Sequence, residues 1–269
     1  ALDRVSSFLG THATLGSFGL FVSLLSLYSH FHFRSRETAG SGGEAPRFQY
    51  FFLLSAVSAL LAVLLSGTRS AVVGMLAGLV AASVWIAWKG HGWRRQVAAT
   101  AILTLLLGAL GLWQFRAHPW LQKLPALARF AEVFHPRDSS SVRLMVWESF
   151  LASWRDRPYL GWGVEQSSAA FTPHLNPRHF SLATEPWYDR PHNKYVELLV
   201  TQGVVGLGAF LLVLFAAARN LLRRPLPSDP PGLYTEALLV GFLAAYGVNQ
   251  FFLFDFHESY LLLFTYLVL

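Results

Sequence analysis

The chain of 269 residues contains no cysteine, and only 13% of its residues are charged. The missing cysteines exclude disulfide bonds and thiolate chemistry. Because a soluble domain carries about 25% charged residues, the low charge argues against a soluble protein. The sequence also lacks an Asp-x-Asp pair, an HExxH spacing and a glycine-rich nucleotide loop, which are common signatures of metal and nucleotide sites. We therefore predict a site without metal or cofactor, in which an activated donor brings its own leaving group.

Hydrophobic residues, in contrast, make up 54% of the chain, and the mean hydropathy is +0.41. Apolar runs of about 20 residues are typical of membrane-spanning helices. Six such runs occur, at residues 13–31, 49–66, 70–88, 97–115, 194–218 and 232–254. A seventh begins near Ser259 and is cut off at Leu269, and the chain does not begin with Met. No signal peptide is recognisable. We predict an all-α polytopic transmembrane protein, and we expect this chain to be part of a longer one.

The distribution of basic residues predicts the orientation of the spans. The net charge is +6, and the loops after spans one, three and five carry Arg34, Arg36, Arg47, Lys89, Arg94, Arg95, Arg219, Arg223 and Arg224. Lys and Arg accumulate in cytoplasmic loops, so this side is predicted to be cytoplasmic and the basic excess does not indicate nucleic acid binding. On the opposite side, the loop 255–258 has no Lys or Arg, and the loop 66–70 has only Arg69.

The spans divide the chain into three predicted regions. Residues 1–115 hold spans one to four, residues 116–193 form a long external loop, and residues 194–269 hold spans five to seven. The loop is too long for a simple connector. Its apolar spacing predicts amphipathic helices at 120–134 and 142–154, with serines at 139–141 available as a cap for the second. The loop is either a lid over the spans or a platform that gathers two substrates.

Arg69 is the first candidate for chemistry. It stands at the outer end of span three, where the alternative is a snorkelling side chain without a role. The positive-inside pattern does not explain it, because Arg69 lies on the outer side. Its neighbours Ser66, Thr68 and Ser70 add hydroxyl donors, and a guanidinium group matches phosphate oxygens in bidentate geometry. We predict that these residues bind an anionic phosphate group.

The external loop supplies a second cation and a titratable ring. Arg143 opens the second amphipathic helix, where the alternative is a solvated face or an ion pair with Glu148. His192 stands just before span five, and an imidazole at a water boundary is the usual general base. Asn193 beside it is either a substrate contact or a helix cap. We predict that His192 is catalytic. Arg143 and Asn193 are candidate substrate-binding residues, although the spacing alone favours the solvated face for Arg143 and the cap explains Asn193.

Other polar and small residues near these spans have simpler interpretations. Glu197 lies in the first turns of span five and is expected to pair with Lys194 or an arginine, because a lone acid there is costly. The glycines of span five predict a packing face or a kink: Gly203, Gly206 and Gly208. The outer end of span six either lines the same cavity or marks the water boundary, and we expect the second for Asn249, Asp255, His257 and Glu258. Two groups of residues could in principle supply metal ligands: Asp255, His257 and Glu258, and Glu185, Asp189 and His192. Neither group has a specific metal-ligand spacing.

Four stretches resemble the bacterial O-antigen ligase and O-antigen polymerase membrane proteins. They are Ser-Gly-Thr-Arg-Ser at 66–70, Ser-Val-Arg-Leu-Met-Val-Trp at 141–147, Arg-Pro-Tyr-Leu-Gly-Trp-Gly at 157–163, and His-Asn-Lys-Tyr-Val-Glu-Leu at 192–198. Each stretch alone is weak, and their order and sidedness carry the resemblance. It covers roughly residues 5–255.

The resemblance implies a helical bundle similar to GT-C-type glycosyltransferases, in the bacterial inner membrane and with a periplasmic active site. It also implies a metal-independent enzyme that takes a glycan from undecaprenyl pyrophosphate. Ligases pass this glycan to a sugar of the lipid A core, and polymerases pass it to another lipid-linked glycan. By matching position, Arg69 and Arg143 would hold the pyrophosphate and His192 would activate the acceptor hydroxyl.

Several functions stay open on the sequence alone. The arginine pair and the His-Asn pair favour a ligase over an O-antigen or exopolysaccharide polymerase, and transfer to protein hydroxyls is a third use of the same chemistry. Outside the enzyme class, the alternative is a lipid transporter or scaffold. A transporter favours broken helices and polar residues near the middle of the membrane, whereas the charges here cluster at the outer interface. The expected partners are a lipid-linked glycan donor, a lipid A-core or lipid-linked acceptor and membrane lipids, without nucleic acid.

Overall fold

The computed structural model describes residues 11–38, 48–115, 118, 139–178, 188–224, 230–253 and 256–269. These residues form nine α-helices: α1 (His12–Thr38), α2 (Phe48–Ser66), α3 (Arg69–Lys89), α4 (Trp93–Gln114), α5 (Ser139–Asp156), α6 (Ser167–Phe171), α7 (Lys194–Arg223), α8 (Pro230–Phe251) and α9 (His257–Val268). A short 3-10 helix covers Thr172–His174. The described residues contain no β-strand, so the predicted all-α fold is confirmed.

Five of the described helices are long and apolar enough to cross a membrane, namely α1, α2, α3, α7 and α8. They coincide with predicted spans one, two, three, five and six, which confirms a polytopic membrane protein. The predicted fourth span lies in α4, a continuous helix of 22 residues, and its crossing of the membrane stays a prediction. The seventh span also stays a prediction, because α9 covers 12 residues. The predicted helix at 120–134 lies outside the described residues.

The chain forms two compact units, and the first comprises residues 1–134, 218–249 and 256–269. Its core lies along α1. The Phe21 ring is fully buried and packs against Phe242 and Tyr246 of α8, with ring centroids 5.4 and 5.6 Å apart. Leu20 and Leu24 are buried beside it. Burying such side chains contributes about 1.5–3 kcal/mol each relative to leaving them exposed.

Glycine allows α3 and α8 to approach closely. A Cβ atom at Gly78 would lie 2.8 Å from the carbonyl oxygen of Gly241, and a Cβ atom at Gly241 would lie 2.9 Å from that of Gly78. Gly74 and Ala82 are buried at four-residue spacing from Gly78. Small residues at four-residue spacing thus form the face through which α3 packs closely against α8.

The second unit comprises residues 135–217 and 250–255, and its core is built on α5. Val142, Val146 and Phe150 recur every four residues along one buried face of that helix. The Phe150 ring stacks on Phe171 of α6 at 4.9 Å, and Val200 of α7 joins the same cluster. The predicted amphipathic helix at 142–154 is thus confirmed, because its 3.6-residue period does face a core.

The helix α7 is broken at Gly203, where φ is 65° and ψ is −169°. The turn at 158–163 fills the break with four backbone hydrogen bonds: Trp162 N to Val200 O at 2.9 Å, Gly163 N to Thr201 O at 2.8 Å, Val204 N to Pro158 O at 2.9 Å and Val205 N to Tyr159 O at 3.3 Å. These bonds satisfy backbone groups that a broken helix would leave unpaired. The predicted kink is confirmed at Gly203. The backbone groups freed by this break are bound by the turn at 158–163.

Candidate active site

The segment 188–193 leads into α7, and Asn193 forms the start of that helix. Its side-chain oxygen accepts hydrogen bonds from the backbone N–H groups of Tyr195 and Val196, at 3.0 and 3.2 Å. Asn193 is buried. This is the geometry of a helix N-cap, so the interpretation of Asn193 as a cap is confirmed. Its binding of substrate stays a prediction.

His192 adopts a left-handed backbone conformation with φ of 52°. Such a conformation is uncommon for a residue with a side chain and is typical of functional sites. Its Nδ1 lies 3.2 Å from the carbonyl oxygen of Arg190. Because a carbonyl only accepts hydrogen bonds, Nδ1 carries the proton in this contact and the lone pair is on Nε2. In this contact the basic nitrogen of the half-buried ring is Nε2, and the role of His192 as a base stays a prediction.

Glu197 forms ion pairs with basic residues on both sides of His192 in the sequence. Its Oε1 lies 3.3 Å from Arg190 Nη1 and its Oε2 lies 3.8 Å from Lys194 Nζ. Arg190 also donates to Glu165 Oε2 at 2.7 Å. The pairing predicted for Glu197 is confirmed, and it involves both Lys194 and an arginine. Since Arg190 and Lys194 stand two residues before and after His192, this carboxylate limits the movement of the ring.

We expect Glu197→Gln to lower the free energy of unfolding by about 3–5 kcal/mol, because it leaves the buried Lys194 ammonium without its counter-charge. The matched control is Glu165→Gln, which removes the other carboxylate on Arg190. The Glu165 side chain is 69% exposed, so its ion pair contributes only about 0–1 kcal/mol. Thermal unfolding of the purified variants measures both effects. Equal stability of the two variants would show that Glu197 holds no charge pair together.

Arg143 lies in the first turns of α5 with an exposed side chain. One helical turn later, the indole N–H of Trp147 donates to the carbonyl oxygen of Pro191 at 2.8 Å. Residues four apart on a helix have Cβ atoms about 6 Å from each other. The second unit therefore places the turn that carries Arg143 beside the segment that carries His192.

Ser66, Thr68 and Arg69 belong to the first unit, at the α2–α3 turn. Ser66 Oγ donates to the carbonyl oxygen of Val63 at 2.8 Å, and Thr68 Oγ1 donates to that of His12 at 2.8 Å. Both hydroxyls are buried and hold the turn in place. A donor role of these two hydroxyls toward phosphate, which stays a prediction, would require those bonds to break.

Ser70 differs from these two serine and threonine hydroxyls. It lies in the first turn of α3 directly after Arg69, and its buried Oγ has no hydrogen-bond partner among the described residues. The N-terminal end of a helix favours an anion, because its free N–H groups and its dipole both point toward it. Of the three hydroxyls predicted to bind phosphate, Ser70 is thus the best placed.

The outer end of α8 differs from the expectation. Asn249 is 0% exposed, and its Oδ1 accepts a hydrogen bond from Ser17 Oγ of α1 at 3.2 Å. The prediction that Asn249 marks the water boundary is therefore wrong, because the amide is a polar contact inside the helix bundle. His257 is exposed, and Asp255 lies outside the described residues.

The structure thus brings Arg143, His192 and Asn193 into one unit and places Ser66, Thr68 and Arg69 in the other. Sequence reasoning missed Arg190, although an arginine two residues before the histidine was the available signal. Among the described residues no three His, Asp or Glu side chains form a metal-binding group. Because Glu185 and Asp255 lie outside those residues, a metal-free site stays a prediction.

Comparison with known proteins identifies the family. No curated protein matches the chain. Residues 54–211, which are more than half of the 269, match the family model described as O-antigen ligase. This region contains α3, α5, the turn at 158–163 and the start of α7, and so all four stretches that carry the resemblance. The chain therefore belongs to the O-antigen ligase family of polytopic membrane proteins.

Proposed function

We propose that the chain moves a glycan from undecaprenyl pyrophosphate to a sugar of the lipid A core, at the periplasmic face of the inner membrane. Membership of the family supports an O-antigen ligase- or polymerase-like function on lipid-linked glycans. The hydrogen bond from His192 Nδ1 to the Arg190 carbonyl oxygen is the observation that carries the finer proposal. It orients an imidazole whose Nε2 can take a proton.

In the proposed reaction, the acceptor hydroxyl gives its proton to His192 Nε2 as its oxygen attacks the anomeric carbon. The bond between that carbon and the pyrophosphate oxygen breaks, and its electron pair leaves with the pyrophosphate. A general base of this kind contributes about 10²–10⁴-fold to the rate. A direct displacement inverts the anomeric centre. After the transfer, the protonated His192 ring loses its proton to water at the membrane surface.

The two arginines have the second role in the proposal. Negative charge grows on the pyrophosphate as the glycosidic bond breaks, and fixed guanidinium groups in a partly dry site stabilise that charge. We propose that Arg69 and Arg143 bind the pyrophosphate, with Ser66, Thr68 and Asn193 as neighbouring polar contacts. Support comes from the position of Arg143 one turn from Trp147, which contacts the His192 segment, and from the position of Arg69 at the start of α3.

The arginines are tested by substitution. We expect Arg69→Ala and Arg143→Ala each to lower the rate of transfer by about 10²–10³-fold, the loss typical of one charge-stabilising donor. Arg→Lys at these positions keeps the charge and loses the bidentate geometry, so we expect an intermediate rate. The control is Arg155→Ala, which removes an exposed arginine from the same helix as Arg143. Normal transfer by both alanine variants would refute the phosphate role.

The acceptor is tested with the purified full-length protein and a lipid-linked glycan donor, without added metal. One reaction contains core lipid A and a second contains another lipid-linked glycan. The proposal expects the glycan on core lipid A. A longer lipid-linked glycan would identify a polymerase, and no product in either reaction would favour a transporter or scaffold.

A further inference from the structure

The turn at 158–163 presents apolar side chains to its surroundings while its backbone is bound inside α7. Tyr159 and Leu160 are each 73% exposed, and Val164 is exposed beside them. Two residues of α7 directly after the break, Val204 and Val205, are exposed as well. Because Val205 N donates to the Tyr159 carbonyl oxygen, the two backbones that carry these exposed apolar side chains lie directly beside each other.

Two glycines allow the close contact between the turn at 158–163 and the break in α7. A Cβ atom at Gly203 would lie 2.1 Å from the Tyr159 carbonyl oxygen, and a Cβ atom at Gly161 would lie 2.4 Å from the backbone of Thr201. Both residues have positive φ, 65° and 68°. The position of the turn along α7 is therefore fixed by backbone contact, and the depth of α7 in the membrane also sets the depth of the turn.

The length of α7 gives that depth. The helix has 30 residues, which reach about 45 Å at 1.5 Å per residue, whereas the hydrocarbon core of a bilayer is about 30 Å thick. The part after the break that precedes the basic residues Arg219 and Arg223, residues 204–218, reaches about 22 Å. The remaining part of the core, about 8 Å, corresponds to about five residues before and at the break. The break then lies inside the core, in the leaflet in which α7 begins, and the first residues of α7 lie above the core. This position also explains how the charged Lys194 and Glu197 are tolerated near the start of α7.

Arg157, directly before the turn, and Tyr159 within it are exposed and are of the types expected at a membrane interface. The Arg157 guanidinium carbon lies 4.5 Å from the centroid of the Trp162 ring, whose N–H donates to the Ser153 carbonyl oxygen. Arginine and tyrosine are anchors at the level of the lipid head groups. The apolar surface of the turn continues along α7 into exposed residues of the span, including Leu211, Leu212 and Phe215. The lipid-facing part of α7 and the turn that is hydrogen-bonded to it at the break therefore share one apolar face.

We propose that the turn at 158–164 is inserted in the lipid bilayer, with Tyr159 and Leu160 among the acyl chains of the leaflet in which α7 begins. The occupant of this surface is lipid, because the surface is continuous with a membrane-spanning helix and flanked by interfacial anchors. The turn then holds α5 and the His192 segment at the membrane surface. This inference depends on α7 crossing the membrane and is independent of the reaction that the protein catalyses.

The absence of cysteine makes the test direct, since a single introduced cysteine is the only site for a spin label. Full-length Leu160→Cys protein is labelled and reconstituted in vesicles of phosphatidylethanolamine and phosphatidylglycerol. Collision with oxygen, which concentrates in lipid, is compared with collision with a water-soluble nickel chelate. Leu212→Cys in the span is the lipid reference, and Arg178→Cys, an exposed polar position in the same unit, is the water reference.

We expect the Leu160 label to show a ratio of oxygen to nickel accessibility near that of the Leu212 label and well above that of the Arg178 label. A ratio like that of Arg178 would overturn the proposal, because the turn would then face water. Low accessibility to both reagents would also overturn it, since another protein surface would then cover the turn. Tyr159→Cys is a second variant with the same expectation, and both side chains are exposed enough to be replaced without disturbing the fold.

Discussion

His192→Ala is expected to lower glycan transfer by about 10²–10⁴-fold while the protein still binds its lipid-linked donor. The reason is that the acceptor hydroxyl loses the base that takes its proton, whereas the donor is held by other groups. Transfer is measured in single-turnover reactions with purified protein, and donor binding is measured separately by titration of the labelled lipid. A parallel loss of binding and transfer would indicate damage to the site instead of loss of a base.

Two further variants make this result specific. His192→Asn suits the left-handed backbone at φ of 52° better than alanine does, so it separates loss of the imidazole from backbone strain. His174→Ala removes a half-buried ring of the same unit, whose Nε2 lies 2.7 Å from Asp156 Oδ2. We expect His192→Asn to be as inactive as the alanine variant and His174→Ala to be active. Full activity of both position-192 variants would refute the proposed base.

Gly203→Ala is expected to have a large effect on stability, a loss of at least about 3 kcal/mol in the free energy of unfolding. The new methyl group would overlap the Tyr159 carbonyl oxygen at 2.1 Å. The backbone conformation, φ of 65° with ψ of −169°, is in addition one that glycine alone adopts readily. Expulsion of the turn would leave backbone groups of α7 unpaired. Transfer activity is expected to disappear with the fold of the second unit.

The matched control is Gly208→Ala in the same helix. No atom lies within 4 Å of a Cβ at Gly208, and alanine inside a helix is about 0.5–1 kcal/mol more favourable than glycine. We expect this variant to unfold at the same or a higher temperature. Gly161→Ala, which lies on the other side of the contact between the turn and α7, is expected to behave like Gly203→Ala. If Gly203→Ala and Gly161→Ala unfolded at the wild-type temperature like the control, the turn would not be bound in α7.

Local patterns allowed much of the fold to be predicted from the sequence. Hydropathy identified the five confirmed spans, because burial in lipid requires long apolar runs. The four-residue recurrence of Val142, Val146 and Phe150 identified α5, since that spacing places them on one face. A helix cap was one of the two roles given to Asn193, because it stands before an apolar run. In each case the sequence carries the signal within a few neighbouring residues.

The features that the sequence did not reveal depend on distant residues. Gly161 and Gly203 are about 40 residues apart, and nothing near either glycine indicates that one fills a break at the other. Asn249 was assigned to the water boundary because it stands near the outer end of span six, yet its partner Ser17 lies at the opposite end of the chain. For Glu197, Lys194 was predicted by name and the arginine only as a type, and the fold selects Arg190. Long-range packing decides such contacts.

The central claim is that Arg69, Arg143 and His192 face the same side of the membrane and serve one donor. Labelling of single cysteines with a membrane-impermeant maleimide in intact spheroplasts tests it most directly, because the chain has no cysteine of its own. The account predicts that cysteines at positions 69, 143 and 192 react from outside, whereas Arg95→Cys, in a predicted cytoplasmic loop, reacts only after lysis. Protection of position 69 until lysis, with position 192 reactive from outside, would contradict the account.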